Sequence, residues 1–216
     1  MSRRQLGMTE VKRLNRDWRR RTEARLSLLL DNVGQPFNVG SIIRSAAAFG
    51  VERVWLCGST AEPGHPSARK TALGTDRLLA FESVPAATAG AEAARAEGYR
   101  VVAIELAAEA VPLHEAPLAG DICLAVGNED HGCSAALLAA ADIVAYIPQL
   151  GKVGSLNVAV TFGLTAVFVA PLRGLVAMTR GAPKPTSTNR PPQAVTERTI
   201  EAASPCWKLM FPTRST

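Results

Sequence analysis

The chain has 216 residues, of which 47% are hydrophobic, 20% charged and 5% aromatic, with a formal net charge of +5. That mix excludes a disordered or collagen-like chain, and the length fills one good core rather than two large ones. No stretch reaches the roughly 20 consecutive apolar residues of a membrane span. Residues 156–172 come closest, broken by Asn157, Thr161, Gly163 and Thr165, and no apolar segment with a cleavage site follows the basic start, so a cytoplasmic protein without a membrane segment is expected.

Residues 9–24 read as a helix that is polar nearly all round. A strand is expected over 26–30, ending at Asp31. A helix over 39–49 follows, capped by Asn38 and stopped by Gly50, with Val39, Ile42, Ile43 and Ala46 as its buried stripe. Residues 51–57 read as a strand, 58–83 as irregular, and 85–97 as an alanine-rich helix ended by Gly98. Strands are expected over 100–105, 121–126 and 143–147. Helices are expected over 134–141 and, apolar on every face, over 155–169. Strands alternating with helices imply an α/β fold, a parallel sheet with helices on both faces, whose ligands bind beyond the carboxyl ends of the strands. Three regions result: a basic helical arm (1–25), the α/β domain (26–172), and a Pro-rich, flexible, basic tail (173–216).

Charge is segregated. Residues 1–25 carry nine Lys or Arg against three acidic residues, residues 173–216 seven against two, and the body between them is acidic. A basic arm suits a polyanion, because phosphate contacts release counterions; a merely solvated helix is the plainer reading. Trp18, inside the arm, offers a stacking surface or simple packing. The four cysteines are scattered, without a CxxC pair, and only three histidines exist. Neither a disulfide framework nor a metal site is expected.

Neither a GxGxxG turn nor a P-loop is present, and no GxSxG elbow occurs. The informative polar residues sit at three strand-to-helix junctions. The first runs Asn38-Val39-Gly40-Ser41-Ile42-Ile43-Arg44, with Arg44 about 140° round the helix from Val39 and so off the apolar stripe. Its forked donors suit a phosphate, or a salt bridge on the helix surface. The second is Gly127-Asn128-Glu129-Asp130-His131-Gly132-Cys133-Ser134, a Gly-bounded polar loop leaving a buried strand. Four adjacent potential ligands on one turn rarely converge on a metal. The third is Ile147-Pro148-Gln149-Leu150-Gly151-Lys152-Val153-Gly154-Ser155-Leu156-Asn157-Val158, with Ser155 as a helix cap and Asn157 the one amide in an apolar start. The apolar helix beyond needs cover on every face, from the core alone or from a dimer partner as well.

Together the motifs NxGxxxRSAxxFG, GNEDHGCS and IPQLGKVGSLNVAV closely resemble the three signature motifs of the SPOUT class of RNA methyltransferases, in the SpoU (TrmH) branch, in order over residues 26–169. The basic segment at 19–25 is similar to the leading helix of tRNA enzymes that methylate a guanosine ribose. The resemblance implies a C-terminal trefoil knot, S-adenosyl-L-methionine as cofactor, a homodimer, no metal, and a 2′-O-methylated ribose in RNA as product, with tRNA favoured over rRNA. A catalytically silent RNA-binding protein of the same fold, or a small-molecule nucleotide enzyme, are the alternatives.

Carried over by position, the resemblance makes Arg44, Asn38, Glu129, Ser155 and Asn157 the catalytic group. It makes Glu105, Leu106, Val126, Gly127, Asn128, Glu129, Ile147, Leu150 and Leu156 the cofactor contacts. RNA is expected on Arg13, Arg16, Arg19, Arg20, Arg21 and Lys70. An arginine stays protonated well above neutral pH, so Arg44 is read as a phosphate clamp and oxyanion stabiliser rather than a base.

Overall fold

The computed structural model describes residues 4–22, 24–152, 156–163 and 165–166. Seven parallel strands form one sheet: β1 (Leu26–Asp31), β2 (Arg53–Cys57), β3 (Ala80–Val84), β4 (Arg100–Ile104), β5 (Val111–Pro112), β6 (Ile122–Val126) and β7 (Ile143–Tyr146). Their spatial order is β3-β2-β1-β6-β4-β7-β5, with every pairing parallel. The chain builds outward from β1 to β3, then crosses to β4 on the other side and later inserts β6 between them. The order of strands therefore reverses around β1, β6 and β4, and a crevice opens at their carboxyl ends.

The helices are α1 (Met8–Arg21), α2 (Pro36–Phe49), α3 (Pro66–Ala72), α4 (Ala87–Ala96) and α5 (Ala135–Ala140), and residues 158–163 and 165–166 are also helical. The central strands are buried on both faces, as a parallel sheet covered on both sides requires. Alternate residues of β1 separate the two layers. Leu26, Leu28 and Leu30 pack with Val39, Ile42, Ile43 and Ala46 of α2 and with Val158 and Phe162. Leu29 on the other face packs with Ala87, Ala91 and Ala94 of α4 and Leu137 of α5. This is the expected layered α/β architecture.

Several sequence expectations need correction. Asn38 does not cap α2. The helix begins earlier, with Gln35 at the cap and Pro36, whose fixed φ suits the first turn, just inside. Asn38 is thus a helical residue whose amide is free for other work. Gly50 closes α2 in the left-handed region at φ 68°, as expected. The stretch 58–83 is not irregular throughout: it holds α3, a 3-10 turn over Asp76–Leu78, and β3. β3 is an edge strand without a fully buried residue, so it lacks the apolar signature of its neighbours. β5, two residues at the other edge, has no pattern long enough to read.

The trefoil knot expected in the C-terminal part falls in a stretch where 153–155, 164 and everything from 167 onward lie outside the described residues, as does the whole tail 173–216. Among the described residues no helix is long and apolar enough to cross a membrane.

Candidate active site

The crevice at the strand ends holds a cavity of about 290 Å³. Its lining combines the apolar Ile104, Leu106, Ile147, Leu156 and Val158 with the polar Glu129, Asp130 and His131. The ends of β4, β6 and β7 and the start of the last helical stretch supply these residues.

The loop leaving β6 is built for tightness. At Gly127 a Cβ would stand 2.1 Å from the Gly132 carbonyl carbon and 2.2 Å from the Cys133 nitrogen, so two backbone segments cross at a distance only glycine permits. The loop closes on itself through paired backbone bonds between Asn128 and Gly132. The Asn128 side-chain oxygen accepts from the amides of Asp130 (2.8 Å) and His131 (3.2 Å), while its Nδ2 donates to the Asn32 carbonyl past β1 (2.8 Å). Glu129 is thereby held out at the tip, facing the crevice.

Three sequence motifs meet at Asn38. The Asn38 Nδ2 of α2 donates to Glu129 Oε1 at 2.7 Å, and Asn157 Nδ2 donates to Asn38 Oδ1 at 3.1 Å. Asn157 is itself oriented because its Oδ1 accepts from the Ala159 amide at 2.9 Å. A carboxylate and two amides thus form one directed chain, which enters the cavity lining at Glu129. Glu129 keeps a second oxygen, Oε2, that is buried without a hydrogen-bond partner among the described residues, and so does Gln149 with its amide oxygen. Buried acceptors left open in this way await a donor.

Not every expected residue joins this group. Arg44 is exposed six residues beyond Asn38, about 9 Å further along α2 and about 120° round it, and it does not line the cavity. It makes no hydrogen bond or ion pair among the described residues. Ser155 lies outside the described residues. Of the expected cofactor contacts, Glu105, Leu106, Val126, Gly127, Asn128, Glu129, Ile147 and Leu156 line the cavity; Leu150 does not and is 86% exposed. The Glu105 carboxylate is turned to the backbone, accepting from the amides of Cys133 (2.8 Å) and Leu106 (3.0 Å). Sequence reasoning missed Gln149 and His131 as cavity residues. Both stood inside the quoted motifs, but nothing in the pattern said which side chains turned inward.

Arg13, Arg16, Arg19, Arg20 and Arg21 are exposed on α1, a helix with no buried residue, and Lys70 is exposed on α3. No cluster of three or more His, Cys, Asp or Glu suited to a metal ion occurs among the described residues. Cys57 and Cys123 are buried, and burial pushes both thiols up to about 12; burial and the Glu105 charge push Cys133 up as well.

Residues 25–167 match the model of the SpoU rRNA Methylase family, about two-thirds of the chain and all three junctions. The chain belongs to this family. It is 34% identical over 146 residues to the 23S rRNA (guanosine-2′-O-)-methyltransferase RlmB of Coxiella burnetii, an alignment covering 68% of this chain and 58% of that protein. The chain therefore spans little more than half the length of such relatives. Among solved structures, the AdoMet-bound rRNA methyltransferase from Sinorhizobium meliloti superposes with a TM-score of 0.64 at 29% identity, over 68% of this chain and 56% of that one. The A. aeolicus TrmH/SpoU tRNA modifying enzyme has the same TM-score, 0.64, at 25% identity, and covers 90% of this chain and 94% of its own.

The cavity fits an adenosyl sulfonium of the kind held by the S. meliloti structure. Its apolar wall suits a purine, its open acceptors at Glu129 Oε2 and Gln149 Oε1 suit amine or hydroxyl donors, and Glu129 with Asp130 suits positive charge.

Proposed function

We propose that the chain transfers a methyl group from S-adenosyl-L-methionine to the 2′-oxygen of a ribose in RNA. The observation that carries this reading is the Glu129–Asn38–Asn157 chain, which joins the three family motifs and reaches, through Glu129, a cavity suited to the cofactor. When bound, the cofactor supplies a sulfonium methyl already activated for in-line displacement.

The protein's own residues then have three tasks. The apolar wall of Ile104, Leu106, Ile147 and Leu156 holds the purine and excludes water. Asn38 and Asn157 fix the Glu129 carboxylate so that it orients the ribose hydroxyl, which converts a poor encounter into a near-attack geometry. Arg44, exposed on the same helix as Asn38, grips the adjacent RNA phosphate with its fork and offsets the developing alkoxide. With the cofactor held there, its methyl would pass from sulfur to the 2′-oxygen while the hydroxyl proton would leave to phosphate or water. Ser155 joins this group in the proposal by its place in the third motif.

The substrate we favour is tRNA, because the A. aeolicus tRNA modifying enzyme matches this chain nearly end to end. An rRNA substrate is the second reading, favoured by the activity named for the C. burnetii relative. The basic helix α1, with Arg13, Arg16, Arg19, Arg20 and Arg21, grips the RNA backbone together with Lys70. The reading includes a cytoplasmic location and a homodimer, in which a partner subunit covers the exposed Val160 and Leu150.

The deciding experiment supplies labelled cofactor with fractionated tRNA and rRNA in parallel. Label in 2′-O-methyl nucleosides of one fraction supports the reading and names the RNA. A folded protein that binds RNA and transfers no label to either fraction makes it a silent binding protein instead.

A further inference from the structure

The loop from Gly127 to Gly132 satisfies many of its own hydrogen bonds, so its internal bonding does not fix where it sits against the sheet. Three contacts do. Asn128 Nδ2 ties it to the Asn32 carbonyl on the β1 side. At its far end two successive amides are each taken by a carboxylate from a different strand end: Ser134 N–H by Asp31 Oδ2 of β1 at 2.8 Å, and Cys133 N–H by Glu105 Oε2, just past β4, at 2.8 Å. β1 and β4 flank β6 on its two sides, so the loop is held from both. The β1 anchor is buried in the core: Asp31 is 1% exposed and is also bonded to the Asn32 amide. The β4 anchor stands in the cavity wall, and its second oxygen is fixed by its own neighbour's amide, Leu106 N–H at 3.0 Å.

Gly132 shows how close this contact is. Its φ is +69°, and a Cβ built there would stand 2.3 Å from Glu105 Oε2. The absence of a side chain at 132 is what lets the carboxylate reach the next amide. Each of its oxygens accepts from a backbone amide, so the carboxylate at 105 is oriented by the protein itself.

We propose that Glu105 is a positioning residue whose carboxylate latches the loop after β6 to the end of β4 and so sets where Glu129 and the cavity floor stand. It acts through the loop and touches no reacting atom. The reading of the cavity as a cofactor site supplies only the purpose of the latch; the latch itself rests on the contacts above.

The test uses the full chain with Glu105→Ala, Glu105→Gln, Gly132→Ala and the 105/132 double variants. The measurements are calorimetric binding of S-adenosylhomocysteine, hydrogen exchange of individual amides, and kcat against KM. Loss of the charge-assisted bond to Cys133, with the local one to Leu106, predicts that Glu105→Ala weakens binding by about ten- to hundredfold and speeds exchange at Cys133 by a similar factor. Exchange across β1 and β2 should stay as in the parent. Glu105→Gln keeps an oxygen for the Cys133 amide but sets its NH2 against the Leu106 N–H, so it should recover binding only in part, to a value between those of Glu105→Ala and the parent. Gly132→Ala should weaken binding alone but add much less in the Glu105→Ala background, because the collision it makes is then gone.

The proposal is overturned if Glu105→Ala leaves binding and Cys133 exchange unchanged, if Gln is as damaging as Ala, or if the two substitutions add in full. It is also overturned if exchange rises equally over the whole sheet, which is the mark of a merely structural residue. Should Glu105→Ala fail to fold, the Gln and Gly132→Ala variants still decide. Should the parent bind no S-adenosylhomocysteine, the cofactor reading fails, and the Cys133 exchange rates decide the latch by themselves.

Discussion

Asn38 and Glu129 are 91 residues apart in sequence and 2.7 Å apart in space, with the amide donating to the carboxylate. The same asparagine accepts from Asn157, so its side chain is the hinge of the whole group. Replacing it by Ala removes both bonds and leaves the Glu129 carboxylate, whose other oxygen is already buried and unpartnered, without a fixed direction. The expected result is a fall in kcat of about 100-fold, with a stability loss of only about 1–2 kcal/mol, the size of a lost bond to a charged group. Asn38→Asp should be worse than Ala, since it sets a like charge against Glu129. Steady-state kinetics beside thermal unfolding of the two variants check both statements; equal activity in Asn38→Ala and the parent would remove Asn38 from the site.

Arg44 carries a different expectation, because it stands outside the hydrogen-bonded group and faces solvent. If it clamps a phosphate, Arg44→Ala should lower kcat/KM by about 10²–10³-fold without changing stability beyond about 0.5 kcal/mol. Arg44→Lys keeps the charge but loses the fork, and should recover only part of the activity. Cofactor binding should be the same in all three proteins. Near-normal turnover in the Lys variant would argue against a bidentate clamp.

Much of the fold was legible because burial writes a strong pattern. The short, largely apolar stretches at 26–30 and 121–126 read as strands and are buried on both faces, and the α2 stripe of Val39, Ile42, Ile43 and Ala46 is buried as its spacing requires. β3 and β5 were not legible, because an edge strand is half-exposed and lacks that pattern. The convergence of the three junctions followed from their common place at strand ends, but the direction of single side chains did not. Glu105 turns to the Cys133 amide, Leu150 turns to solvent, and Gln149 turns its amide inward; a one-residue difference in where a loop leaves its strand decides each of these. Asn38 read as a cap because Asn so often is one, whereas Pro36 starts α2 two residues earlier.

The basic helix makes a prediction about salt. α1 has no buried residue, so its arginines contribute little to the core and are free to meet phosphates. Each phosphate contact contributes about 0.9 to the slope of log affinity against log salt for a double helix and about 0.7 for a single strand. Replacing Arg19, Arg20 and Arg21 together by Ala should therefore reduce the slope of RNA binding by about 2–3 and leave cofactor binding unchanged. The midpoint of thermal unfolding should move little. Binding titrations at several salt concentrations measure this, and an unaltered slope would take α1 out of the interface.

The buried thiols set the behaviour of the protein at high pH. Cys57 and Cys123 have ordinary values of 9.0 that burial raises to about 12. In the unfolded chain both thiols lose their protons as pH rises past 9, while in the folded chain they keep them until about 12. Over that window the unfolded state holds fewer protons than the native state, so the stability these thiols contribute falls as pH rises, by about 1.4 kcal/mol per pH unit for each thiol. Below pH 9 their contribution is complete and flat. Thermal unfolding followed from pH 8 to 11 should show this decline, and a Cys57→Ala, Cys123→Ala double variant should lose stability overall yet show a shallower decline. The same burial predicts that both thiols resist alkylation in the native protein at pH 8 and react once it is unfolded. A double variant with the parent's full slope would mean that other groups govern the alkaline limb.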